Sequence, residues 1–499
     1  MPLQEIVDRR RSMAAGLLSS HSFVRRDTFD ETHSMRHNTA DNNSPGVAII
    51  GGGISGLAAA WYLKQRGISC VVLEAANRCG GKIVSERRDG FLIEGGPDSV
   101  LTEKPWAIDL CRELGLADQL LPMRHERAGF FILRDGQLAS MPEGMLLMIP
   151  SQLPAFLRNR LISPAGKIRM LAERFVRPRP NDTDESVASF VTRRFGRECL
   201  DSLAGPLLGG IYMARPENLS MRCAFPRFLD AERKHGSLIK AVQKRAGAAR
   251  GSMFTTLKDG MGCLVEALAA RLDEMIHVDT DVTEIGRHDA SWIVRAGERE
   301  WHAKAVVLAC PVQSAAALCA DLAPAFFSEL QTIRHVSTAT VSLAYSNGTI
   351  HPSQIPDGTG FIVPEQEGRR ILACTWVSNK FAGRAPEHGV LIRVFIGGDA
   401  HGDLVTSCTD EALVQIARDE LRDIMKLDTA PSFASVYRWK AAHPQYEVGH
   451  LDRVERIEAA AQQLGRLYVT GWPYRGNGIS DCVRCAHETA DRIADELNH

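Results

Sequence analysis

The chain has 499 residues, a formal net charge of −1 and 44% hydrophobic residues. That length allows two or three domains with sizeable cores, and the near-zero charge excludes a global basic field for nucleic acid. There is no apolar run of about eighteen residues to cross a membrane, no HExxH-type metal spacing among the histidines, and the scattered cysteines fit reduced cytoplasmic thiols.

Residues 1–45 form a polar tail that runs from Arg9-Arg10-Arg11 to Ser44-Pro45. Its apolar stretch, Met13 to Leu18, is too short for a secretory core, and Asp27, Asp30 and Glu31 argue against a mitochondrial presequence. The tail reads as a disordered extension with Met35 as the true start.

The chemistry begins at Val47-Ala48-Ile49-Ile50, a short apolar run that suits a buried parallel strand. It leads into Gly51-Gly52-Gly53-Ile54-Ser55-Gly56, a full GxGxxG, then a helical stretch to Leu63 and a second strand, Cys70 to Leu73, ending on Glu74. Gly51 permits the turn, Gly53 admits a pyrophosphate, Gly56 lets helix and strand pack, and Glu74 can accept from ribose hydroxyls. A helix N-terminus at this point offers amides and a positive dipole end to phosphate. The order and spacing of these parts predict dinucleotide binding.

Three later features favour FAD over NAD. A second Gly-rich turn, Arg78-Cys79-Gly80-Gly81-Lys82, places two cations near the pyrophosphate. Gly95-Gly96-Pro97-Asp98-Ser99 makes a rigid turn after a strand over 90–94. At the C-terminus a strand from Leu467 leads through Asn477-Gly478-Ile479 into an amphipathic helix over 480–497, with Val483, Ala486, Ala490 and Ile493 in register. That helix start favours the negative charge that develops at N1 and the C2 carbonyl of reduced flavin. No second complete GxGxxG is present, so electrons are expected to leave the flavin for oxygen or another small acceptor. Cys482 and Cys485 have CxxC spacing without a second pair, and read as structural.

Several longer segments carry a resemblance. They are Phe91 to Ser99, Arg134-Asp135-Gly136 through Met141 to Gly144, Glu185-Ser186-Val187 to Glu198, Gly210-Ile211-Tyr212 with Pro216 and Leu219, Gln445-Tyr446 with Gly449-His450, and Tyr474 to Cys482. Together they resemble the oxygen-dependent protoporphyrinogen and coproporphyrinogen III oxidase family of the monoamine-oxidase-like flavoproteins, from about Val47 to Ile493.

The resemblance implies an α/β fold: a discontinuous Rossmann-type FAD-binding domain (46–105, 245–325 and 430–499), a helical insert domain (106–230) and a strand-rich substrate domain (326–430). Strands are expected over 341–345, 360–363 and 391–396. It also implies oxidation of protoporphyrinogen IX or coproporphyrinogen III in haem synthesis, with oxygen as acceptor and no assigned catalytic side chain. The implied FAD contacts are Gly51, Gly52, Gly53, Ile54, Ser55, Gly56, Glu74, Ala75, Lys82, Gly96, Pro97, Asp98, Ser99, Val282, Trp439, Asn477, Gly478 and Ile479. A core role for Val282 and Trp439 stays open. Ile362 and Trp376 match the positions that sandwich the substrate, with core packing again an open alternative. Phe130 stands where the eukaryotic enzymes place an arginine for a propionate. Arg127 and Lys104 are candidate substitutes, with a solvated surface charge the safer reading for both, and Arg215, in an Ala214-Arg215 pair that departs from the family's Gly-Asp, is an added cation that could serve a propionate.

The segment from Met145 to Leu157 is apolar and is followed by Arg158, Arg160, Lys167, Arg169, Arg174, Arg177 and Arg179. Such a pairing reads either as a peripheral contact with an anionic membrane or as a helical domain with a solvated basic face. The expected setting is cytoplasmic, at most peripheral to the membrane; a homodimer is compatible with it. An amine oxidase on the same FAD domain, or a flavin-binding protein without turnover, remains the alternative.

Overall fold

The computed structural model describes residues 45–124, 129–141, 145–158, 161–180, 183–245, 252–346 and 348–498. The N-terminal extension with Met35, and Arg127, Arg160 and residues 142–144, lie outside the described residues.

Strand β1 (Val47–Ile50) is wholly buried and is followed by helix α1 (Ile54–Gln65) and strand β2 (Cys70–Leu73). Strands β3 (Ile276–His277), β4 (Ala305–Leu308) and β5 (Leu467–Val469) complete a five-stranded sheet in the order β3-β2-β1-β4-β5. Every pairing in it is parallel. A parallel sheet needs apolar cover on both faces, which explains why β1, β2 and β4 are continuous apolar runs. One face is covered by α1 and by the C-terminal helix α2 (Ile479–Asn498), whose Ile479, Val483, Ala486, Ala490 and Ile493 are buried. The other face packs against Trp292, Trp301, Phe326 and Leu330.

A second, seven-stranded sheet runs Phe433–Pro444, His335–Tyr345, Val390–Gly397, Ala373–Trp376, Gly360–Ile362, Phe131–Arg134, Gln137–Ser140. It contains the three strands expected within 326–430 and a fourth in that range, Ala373–Trp376, and three more strands overrun both ends of the range. One extra strand comes from 433–444, assigned above to the cofactor domain. The other two form a hairpin turned at Asp135 and Gly136, both at positive φ, inside the region expected to be helical. The Asp-Gly pair is a hairpin signature that the helical assignment passed over.

The remaining insert is helical. Ser163 and Ser186 cap the helices Pro164–Leu171 and Val187–Phe195 by accepting from Gly166 N and Ser189 N at 3.0 and 3.1 Å. Met148, Ile149 and Phe156 are buried there with Phe190 and Phe195. Much of the apolar segment 145–157 is therefore core. Arg194 is buried with Glu173 and Glu232, so its charge is paired on both sides. Among the described residues no helix is long and apolar enough to cross a membrane, and no group of His, Cys, Asp and Glu could hold a metal ion.

Candidate active site

The end of β1 builds a cradle for a nucleotide. Glu74 closes it: its Oε2 accepts from Gly52 N at 2.6 Å and its Oε1 from Ala76 N at 2.9 Å. A side chain on Gly56 would stand 1.9 Å from the Gly51 carbonyl oxygen, so glycine is needed for helix and turn to meet. Gly53 is different, because a Cβ there would meet no atom within 4 Å. Its open side faces the start of α1, which has no side-chain cap and no acid in its first turn. Free amides and the dipole are thus left for an anion. These residues fit a dinucleotide cofactor. Ile54 is half-buried and Ser55 buried beside the cradle, while Ala75 is exposed at its rim. Thr280 N donates to Glu74 O at 2.9 Å and so brings Val282 alongside; Val282 itself packs into the core with Trp301.

The turn 95–99 is held by the second sheet. Gly95 O accepts from Trp439 Nε1 at 3.0 Å and Thr340 Oγ1 at 3.1 Å, and Arg393 donates to Gly96 O. Thr256 Oγ1 donates to Asp98 O at 2.7 Å, and Lys380 Nζ lies 2.9 and 3.0 Å from the two Asp98 carboxylate oxygens. Gly96 lies flat against Lys82, where a Cβ would stand 1.8 Å from the Lys82 carbonyl oxygen. Pro97 and Ser99 are half-buried, and Ser99 Oγ donates to Asp98. Trp439 thus serves the turn through its indole N–H.

The C-terminal motif meets the same region. Trp472 Nε1 donates to Asn477 Oδ1 at 3.1 Å, and Asn477 N donates to Asp481 Oδ2 at 3.1 Å. The Lys82 ammonium sits 4.0 Å from the centre of the Trp472 ring and also donates to Ala442 O. The His443 ring meets that indole edge-on at 4.6 Å. Burial pushes Lys82 down to about 8 and His443 down to about 3. Gly478, at positive φ, starts α2 with open space at its Cβ position. Cys482 and Cys485 are buried, with thiols pushed up to about 11 and about 12 by burial, which denies them thiolate chemistry at neutral pH.

Strand register sorts the two expected substrate residues. Gly360 pairs with Thr375 and Ile362 with Ala373, so Ile362, Ala373 and Thr375 share one face. Phe395 and Arg393 join that face through their pairing with Ala373 and Thr375. Ile362 points toward the helical insert, where it meets Gly210. Trp376 lies on the opposite face, fully buried against Phe131 and Phe361. The structure therefore does not bring Trp376 to Ile362; strand alternation turns it into the far core.

A family match decides what this arrangement belongs to. The family described as flavin containing amine oxidoreductase matches residues 54–494. The chain belongs to that family. Within it, the chain is 32% identical to coproporphyrinogen III oxidase of Bacillus subtilis (strain 168), over 88% of this chain and 95% of that one. It is 34% identical to coproporphyrinogen III oxidase of Staphylococcus aureus (strain NCTC 8325 / PS 47), over 90% and 99%. A crystal structure from Exiguobacterium sp. 255-15, provisionally named a protoporphyrinogen oxidase, superposes with a TM-score of 0.80 at 30% identity, covering 90% of this chain and 98% of that one.

In this flavoprotein two of the cations named for a substrate carboxylate, Lys104 and Arg215, are already engaged, while Arg127 lies outside the described residues. Lys104 is ion-paired with the buried Asp481. Arg215 pairs with Glu365 at 2.8 Å and with Asp399 at 3.4 Å. It stands at the rim of a cavity of about 380 Å³ between helix Gly205–Tyr212 and residues 363–372. Phe130 is half-buried against the helical core. Sequence reasoning missed Thr340, Lys380, Arg393 and Phe395. Their only signal was alternation within strands whose partners the sequence does not name.

Proposed function

We propose that this flavoprotein oxidises coproporphyrinogen III to coproporphyrin III in haem biosynthesis, with FAD as cofactor and oxygen as acceptor. The observation that carries this is identity of 32–34% to coproporphyrinogen III oxidases across nearly the full length of both chains. FAD is favoured because three segments from different parts of the chain, the cradle at Gly51 to Glu74, the turn 95–99 and the start of α2, are linked through Lys82, Gly96 and Trp472, and a long dinucleotide suits contacts with all three.

The six hydrogens leave the macrocycle as three pairs, and three oxygen molecules become three hydrogen peroxides. Bound flavin supplies the two-electron acceptor for each pair. The chain supplies position and environment. Glu74 and the α1 amides hold the nucleotide end. The sheet fixes the turn 95–99 through Thr340, Arg393 and Trp439. Ile362, Ala373, Thr375 and Phe395 offer a flat, largely apolar wall against which a macrocycle can lie. No side-chain base is needed beyond this positioning.

Anaerobic mixing tests the reading. Coproporphyrinogen III should bleach the flavin absorbance, and putrescine or cyclohexylamine should not. Bleaching by the amines alone would make the protein an amine oxidase. No bleaching by any of them would make it a flavin-binding protein without this turnover.

We further propose a peripheral contact with anionic lipid, shifted from the apolar segment named above. Leu157, Ile168 and Phe175 are 51%, 72% and 86% exposed, and Lys167 Nζ donates to Leu157 O at 2.8 Å, which ties the first two together. Arg158 and Arg177 are exposed close to them in the chain. Exposed apolar side chains with cations close by in the chain suit the interface of an anionic bilayer.

A further inference from the structure

Behind the turn 95–99 lies an unusual concentration of buried charge. Lys380 and Asp98 have side chains only 13% and 15% exposed, and Lys380 Nζ also reaches Ser99 Oγ at 3.3 Å. Arg393 is buried and donates to Gly96 O, and its ring neighbour is Phe395 at 4.9 Å. Arg384 is buried beside them and donates to Lys258 O at 2.9 Å and to Thr256 Oγ1 and Leu257 O at 2.8 Å. Thr256 in turn donates to Asp98 O.

Arg384 also feels Asp259 and Arg87, but these two exposed groups pair with each other and cancel, which leaves two largely buried acids facing the three cations. Asp98 takes Lys380, and the buried Glu94 accepts from Ser85 Oγ at 2.7 Å and Met261 N at 2.8 Å. Burial alone would raise the Asp98 carboxyl; Lys380 and Arg393 outweigh it and hold the group well below the usual carboxylate range. Burial raises Glu94 instead. With every group charged, the three cations exceed the two acids by one positive charge. Neutral Glu94 would enlarge the excess. Buried charges of this kind are expensive and persist where something needs them.

We infer that Lys380, Arg393 and Arg384 form a positioning cluster that sets the reduction potential of the bound flavin through the turn 95–99, raising it by favouring the electron-rich reduced form. The inference rests on the reading that this turn borders the flavin. A fixed positive field in a water-poor interior acts strongly on charge that develops nearby. The same residues grip the turn, so geometry and field are set together.

The test compares midpoint potentials of the bound flavin in the wild-type holoprotein and in Lys380→Met, Lys380→Arg and Asp98→Asn, alongside melting temperatures. Lys380→Met should move the potential negative, by about a tenfold loss in the reduction equilibrium. Asp98→Asn should move it positive, and Lys380→Arg should stay near wild type. Opposite signs are the signature, because a purely structural pair would loosen the turn in both variants and lower both melting temperatures alike. Shifts of the same sign, or unchanged potentials with flavin retained, would overturn the inference. So would loss of flavin from both Lys380 variants. A wild-type protein that carries no flavin would overturn the cofactor reading together with it.

Discussion

Gly53 and Gly56 stand three residues apart and make different demands. At Gly56 an added methyl would collide with the Gly51 carbonyl oxygen at 1.9 Å, and backbone cannot give way as a flexible side chain can. Gly56→Ala should therefore cost about 3 kcal/mol of folding stability. Gly53→Ala meets no protein atom and keeps an ordinary φ of −69°. It should fold with an unchanged urea midpoint as apoprotein and still lose most of its flavin. Equal destabilisation of the two apoproteins would refute this division of labour. His443 and His450 give a second residue-scale prediction. Burial pushes their pKa values down to about 3 and about 4. Both are neutral in the fold, while the unfolded chain protonates near 6.5. Between those values the unfolded state binds more protons, so stability is full above about pH 6.5 and falls as pH drops toward 4. Urea midpoints from pH 7 to pH 4.5 should show this slope, and His443→Asn should flatten it; an unchanged slope in that variant would count against the buried neutral histidine.

At the scale of elements, the strand–turn–helix–strand unit from Val47 to Glu74 was legible because its parts are local and each glycine has its own steric reason. The C-terminal helix was legible for a similar reason, its apolar period of 3.6 surviving intact in α2. The second sheet was not. Its edges come from 131–140 and 433–444, far in sequence from its middle, and register alone decides that Ile362 and Phe395 share a face while Trp376 turns away. A one-residue difference in register exchanges the faces, and nothing in the sequence near Cys374-Thr375-Trp376 states it. The hairpin at Asp135-Gly136 carried its own sign and was still subordinated to a helical reading of its surroundings. The wall defined by this register can be tested. Phe395→Ala should raise KM for coproporphyrinogen about tenfold with kcat changed less, and Phe395→Leu should recover most of the loss. An unchanged KM in Phe395→Ala would remove that face from the substrate site.

Across the whole molecule, the parallel sheet, the seven-stranded sheet and the helical insert converge on one stretch of chain, the turn 95–99 and its neighbours Lys82 and Trp472. The insert carries three of the exposed large apolar side chains, Leu157, Ile168 and Phe175. Replacing all three with serine should leave the fold intact, since none supports the core, and should cut sedimentation with phosphatidylserine vesicles at low salt about tenfold or more. Equal sedimentation of the variant and the wild type would dismiss that surface. The central claim concerns the reaction, and porphyrin fluorescence tests it most directly. Coproporphyrinogen III and protoporphyrinogen IX are each incubated in air with the holoprotein, against the flavin-poor Gly53→Ala protein as the control for spontaneous oxidation, and hydrogen peroxide is counted. The account predicts coproporphyrin formation well above the control, faster than protoporphyrin formation, with three peroxides for each porphyrin. Fluorescence no higher than the control with both substrates would contradict it.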